Sequence, residues 1–119
     1  MVTRLISTLA PLFLVSSAFA VDFAREVAPV LEKKCLSCHN PNILKGDFSM
    51  ATREDILASE DDILIPGNSV DSMLHWITLP FDGDPPEMPE EGDPLTEEEA
   101  RLLGEWIDGG AEWPEGLVL

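Results

Sequence analysis

The sequence contains no tyrosine, two histidines, two cysteines and only seven cations against 23 acidic residues. Two cysteines allow one disulfide at most, so a multi-bridge secreted scaffold is excluded. The shortage of Lys and Arg leaves a net charge of −16. Nucleic acid and anionic membrane surfaces are therefore poor partners, and a partner with a basic docking patch is the complementary expectation. Long apolar runs are also missing. The stretch Leu5 to Val15 is about half of the roughly 20 residues needed to span a bilayer, and Pro11 interrupts it. No alternating apolar tract is long enough for a sheet, and no internal repeat is visible.

What is present begins with a leader grammar. Arg4 precedes the apolar run, and Ala18-Phe19-Ala20 supplies a small-x-small cleavage triplet. Residues 1–20 read as a secretory signal peptide, and residues 21–119 as one domain. Cleavage would remove one cation and no acid, taking the charge from −16 to −17. A domain of about 100 residues buries only about 60–65% of its unfolded surface. It needs a staple, and a large apolar cofactor at its centre would supply one.

The helical signals are separate and short. Phe23, Val27, Val30 and Leu31 recur at helical spacing behind a possible N-cap, Asp22. Pro29 must kink that helix or sit in the first turn of a shorter one. The helix is expected to run into Cys35. Thr52 with Asp55 predicts a capped helix over Arg53–Ser59, and Pro66-Gly67-Asn68 predicts a turn. Val70, Met73, Leu74 and Ile77 predict a third helix. Residues 82–94, DGDPPEMPEEGDP, read as loop. Thr96 and Glu99 form a capping box before Leu102, Leu103, Trp106 and Ile107, and Gly109-Gly110 closes the helix. The expected architecture is a small all-α domain whose long loops wrap a ligand.

Cys35-Leu36-Ser37-Cys38-His39 is the C-x-x-C-H spacing of covalent haem attachment. On a helix, Cys38 would lie roughly 60° to one side of Cys35 and His39 roughly 40° to the other. Both thiols could then add to the haem vinyl groups, with the imidazole as iron ligand and a backbone carbonyl on its other nitrogen. Structural zinc would need four ligands, a thioredoxin-type pair would need a βαβ setting, and a plain disulfide would leave His39 without a role. One covalent haem c is the reading that uses all three residues.

Four side chains compete for the distal position. Met88 is the only apolar side chain, prolines aside, in residues 82–94. Pro85, Pro86 and Pro89 stiffen its loop, and Pro89 keeps Met88 out of the helical region. His75 is the main rival. Met73 is expected in the core and Met50 near the haem edge. Trp106 is the aromatic expected to pack on the haem plane, with Trp76, Trp113, Phe23 and Phe48 mostly in the core.

These features together resemble a class I cytochrome c, and more closely the small planctomycete-type cytochrome c modules. The carrying residues are Val27 to Leu31, Cys35 to His39, Lys45-Gly46-Asp47-Phe48, Pro66-Gly67-Asn68, Ser72-Met73-Leu74, Met88-Pro89, Pro94-Leu95-Thr96 and Trp106 to Ala111. The resemblance implies an all-α fold around haem c, with His39 as proximal and Met88 as distal ligand. The expected function is a soluble one-electron carrier in the periplasm, not an enzyme. A haem protein with an open distal site and a dedicated subunit of a periplasmic dehydrogenase are the competing expectations.

Overall fold

A computed structural model describes residues 8–12 and 20–119. Most of the signal peptide read over residues 1–20 lies outside the described residues. Among those described, no helix is long and apolar enough to cross a membrane.

The first helical segment shows how Pro29 is accommodated. Residues Phe23–Val27 form a π turn capped by the Asp22 side chain, and the Ala28 N–H donates to the Phe23 carbonyl. Helix α1, Ala28–Lys34, then starts afresh with Pro29 in its first turn, where a missing N–H costs nothing. The wider turn keeps both Phe23 and Val27 buried. A two-stranded antiparallel ribbon follows, β1 His39–Asn40 and β2 Ile43–Leu44, pairing His39 with Leu44. A tight turn over Lys45–Asp47 leads out of it. Helix α2, Arg53–Leu57, carries the expected Thr52 cap, with Asp55 N 3.1 Å from Thr52 Oγ1. Helix α3 is Met73–Trp76, and helix α4, Glu97–Asp108, has the full Thr96/Glu99 capping box.

The all-α class I fold expected from the sequence is corrected here. Among the described residues the structure is only 34% helical, with four short helices, a two-stranded sheet and long irregular connections. The physical reason is visible at α3, expected from Val70 onward. The Asn68 side chain takes the Asp71 N–H, and Ser72 Oγ takes the Ile65 N–H and lies 2.7 Å from the Asn68 carbonyl. These local bonds satisfy the backbone in turns and postpone the helix. Val70 is left 79% exposed.

The core forms where the π turn packs on α4, with α1 continuing from that turn. Val27, Leu31, Leu103 and Ile107 are essentially inaccessible, each contributing about 1.5–3 kcal/mol of burial. Phe23 lies between Trp106 and Trp113, with ring centroids 5.2 and 4.1 Å away. Trp106 donates its indole N–H to the Glu112 carbonyl at 2.6 Å. It belongs to this far side of the core and not to the cavity described below, which corrects its expected place on the haem plane. Trp76, also expected in the core, is exposed. Gly67 N donates to the Ile107 carbonyl, Ser69 N to Asp108, and Arg53 to the Ala111 carbonyl. Irregular segments are thereby tied to the end of α4.

Candidate haem site

Helix α1 ends at Lys34, one residue before the first cysteine. The expected helical extension through His39 is replaced by a single turn, in which Cys38 N and His39 N both donate to the Cys35 carbonyl at 3.3 and 3.2 Å. That turn still gathers Cys35, Cys38 and His39 on one wall of a cavity of about 360 Å³. Phe48, Met50, Ile63, Leu74 and Ile77 make the cavity apolar, and Met73 and Met88 add two thioethers. Both thiols are free. Burial, then the neighbouring Cys38, pushes the Cys35 thiol up to about 11, against the opposing pull of Lys34. It is therefore protonated at neutral pH.

His39 is fixed from three sides. Its Nδ1 lies 2.7 Å from the Lys45 carbonyl. That oxygen can only accept, so Nδ1 carries the proton and Nε2 keeps its lone pair. Phe48 stacks on the ring at 4.4 Å and 25°. The backbone on either side of the imidazole is knitted in by Lys45 N donating to Cys38 O and Met50 N donating to His39 O. Burial lowers the imidazole pKa, with the Lys45 carbonyl opposing. The neutral ring is the form that ligates a metal.

The turn that delivers the Lys45 carbonyl depends on Gly46, at φ +71. A Cβ there would meet Phe48 Cε1 at 3.2 Å and His39 Cε1 at 3.8 Å. Gly83, at φ +81, has open space around its missing Cβ. Both alanine substitutions incur roughly 1–2 kcal/mol for a left-handed L-residue, but only Gly46→Ala also crowds the His39–Phe48 stack. Denaturant unfolding of the two holo variants should therefore show a larger loss for Gly46→Ala. Equal losses would mean the stack tolerates the intrusion.

Met88 is half-buried on the cavity wall, its N–H donating to the Ile77 carbonyl at 3.1 Å. Met50 is buried there as well, and Met73, packed against the core as expected, also lines the cavity. His75 does not reach it. Its Nε2 is 3.2 Å from the Ala100 carbonyl, and its ring fills the space beside Gly104, where a Cβ would approach within 2.8 Å. Lys34, Lys45, Asp61, Glu90 and Glu91 bring charge to the lining. The backbone carbonyl expected on His39 comes from Lys45, while the Phe48 stack and the Ile77 carbonyl have no signal in the sequence.

The donor set fits a covalently held haem. Two thiols three residues apart, an imidazole with its tautomer fixed and a free Nε2, and thioethers in an apolar wall are what such a group requires.

Comparison with known proteins agrees with this chemistry. The family model described as planctomycete cytochrome C matches residues 35–92. The chain is 28% identical over 124 residues to hydrazine synthase subunit alpha of Kuenenia stuttgartiensis, an alignment covering 78% of this chain. It spans about 15% of that subunit's length. No solved structure matches. A cytochrome c module implies haem c, and both cysteines and the histidine of the attachment motif fall inside the matched segment. Over residues 35–92, the chain is similar to cytochromes c of the planctomycete type.

Proposed function

We propose that this chain is a monohaem c-type cytochrome that carries single electrons in an extracytoplasmic compartment. In this reading Cys35 and Cys38 hold the haem through thioethers, His39 Nε2 is the proximal ligand and Met88 the distal one. The observation that carries it is the convergence of both thiols, the oriented imidazole and the Met88 loop on one apolar cavity. Haem supplies one-electron chemistry when bound. The chain's residues would hold it, with Phe48, Met50, Ile63 and Leu74 excluding water and His39 and Met88 supplying both ligands, so that substrate would not reach the iron. The decisive test is denaturing electrophoresis with a haem-peroxidase stain after expression in a strain competent in haem attachment. The wild-type band should stain, and Cys35→Ala or Cys38→Ala should weaken it sharply. An unstained wild-type band would end this reading.

The acidic surface points to a redox partner with a basic patch. Asp61, Glu90 and Glu91 stand at the cavity itself. The rate of electron exchange with a basic redox protein should be fast at low salt and fall as ionic strength rises. A flat or rising dependence would reduce the acidity to a solubility device.

The likeness to part of an enzyme subunit favours a second reading, in which the cytochrome module serves a larger catalytic assembly. Co-purification at low salt tests it. Carbon monoxide separates both readings from a haem enzyme, because only an open distal site binds it readily.

A further inference from the structure

The loop that carries Met88 has very few attachments. Residues 82–93 include Asp82, Asp84, Glu87, Glu90, Glu91 and Asp93 and no cation. Mutual repulsion and solvation favour lifting such a segment away from the fold. Among the described residues, two hydrogen-bonded ties hold the span 85–95 to other elements. One is Met88 N to the Ile77 carbonyl. The other is Lys34, whose Nζ donates to the Asp93 carbonyl at 2.9 Å and the Pro94 carbonyl at 3.3 Å. Lys34 is the last residue of α1, adjoins Cys35 and lines the same cavity. Its partners are 59 and 60 residues away in sequence.

We propose that Lys34 is a positioning residue that fastens the distal loop to the cysteine-bearing helix and thereby holds Met88 at the cavity. The proposal rests on Met88 being the distal ligand, but the tie itself can be tested separately. A lysine suits the joint because one ammonium donates to two carbonyls at once and brings a positive charge to an acidic loop. The tie lies five residues beyond Met88, with Pro89 between them, so it limits how far Met88 can move from the cavity. The neighbouring Lys33 is exposed and forms no such tie. It provides a control with the same charge change.

The experiment uses the full-length holo protein and a Glu-specific endoprotease under native conditions, with cleavage sites read by mass spectrometry. Lys34→Met should raise cleavage at Glu87, Glu90 and Glu91 about tenfold, the effect of losing about one charge-assisted hydrogen bond. Lys33→Met should leave it within about twofold, and Lys34→Arg should restore much of the protection. Cleavage at Glu105, within α4, reports opening of the whole fold. Equal rates in Lys34→Met and Lys33→Met, or a matching rise at Glu105, would overturn the local role. The second readout is carbon monoxide binding to ferrous protein, which should be faster in Lys34→Met than in Lys33→Met. If wild-type protein shows no iron–thioether band, and Met88→Ala changes nothing, the ligand assignment fails, while the proteolysis still decides the tie.

Discussion

Met88→Ala is expected to abolish the weak long-wavelength band of an iron–thioether bond in the ferric protein and to open the ferrous iron to carbon monoxide. The midpoint potential should fall by on the order of 0.1 V or more, as axial ligand identity spans roughly 0.8 V across haem proteins. The sign follows from the thioether, which favours ferrous iron, so its loss stabilises ferric iron. Oxidation of Met88 to the sulfoxide should act in the same direction. The geometry supplies the comparison. His75 is packed against α4 beside Gly104, with Nε2 on the Ala100 carbonyl, so His75→Ala should leave spectrum and potential nearly unchanged. Potentiometric titration of the two variants decides between them. A spectrum disturbed by His75→Ala and indifferent to Met88→Ala would establish bis-histidine ligation.

The second large effect is on folding. Chain produced without haem should show little fixed tertiary structure, whereas the holo protein should unfold cooperatively. Cys35, Cys38, His39, Phe48, Met50, Ile63, Met73, Leu74, Ile77 and Met88 all face one cavity of about 360 Å³. Left without a group to pack on, that wall exposes apolar surface worth about 25 cal/mol per Å², in a domain whose remaining core is centred on the π turn against α4 and three aromatic rings. A ligand that binds only the folded state stabilises it by mass action, and a covalent one does so without dissociating. Near-ultraviolet circular dichroism and a thermal scan of both forms test this. An apo transition close to the holo midpoint would show that the core between the π turn and α4 suffices on its own.

Local chemistry was legible in the sequence wherever one residue or one short spacing determines the outcome. The Asp22, Thr52 and Thr96 caps form as expected because each places a side-chain oxygen against a backbone N–H three residues on. Pro29 had to be at a helix start or a kink, and the π turn before it shows how a start is made. The backbone carbonyl expected on His39 is present, supplied by Lys45. What local spacing could not decide was how far each helix extends. The segment from Val70 has helical periodicity, yet Asn68 and Ser72 take its backbone groups into turns. For the same reason an all-α fold was the wrong extrapolation from correct local signals.

The partners of residues distant in sequence were decided by tertiary structure alone. Trp106 and Trp76 are both aromatic residues on helices, but one is buried against Phe23 and the other faces solvent. Amphipathic periodicity gives a helix a buried side without saying what it is buried against. His75 is diverted from the cavity because α4 offers a glycine at the point where its ring needs space. Lys34 meets Asp93 and Pro94 across 59 and 60 residues. The sequence by itself determined the attachment motif, the caps and the composition of the Met88 loop, because each is a matter of neighbours along the chain. Which thioether, imidazole and ammonium group share the cavity was settled only by packing, since contact across long separations depends on the whole arrangement of elements.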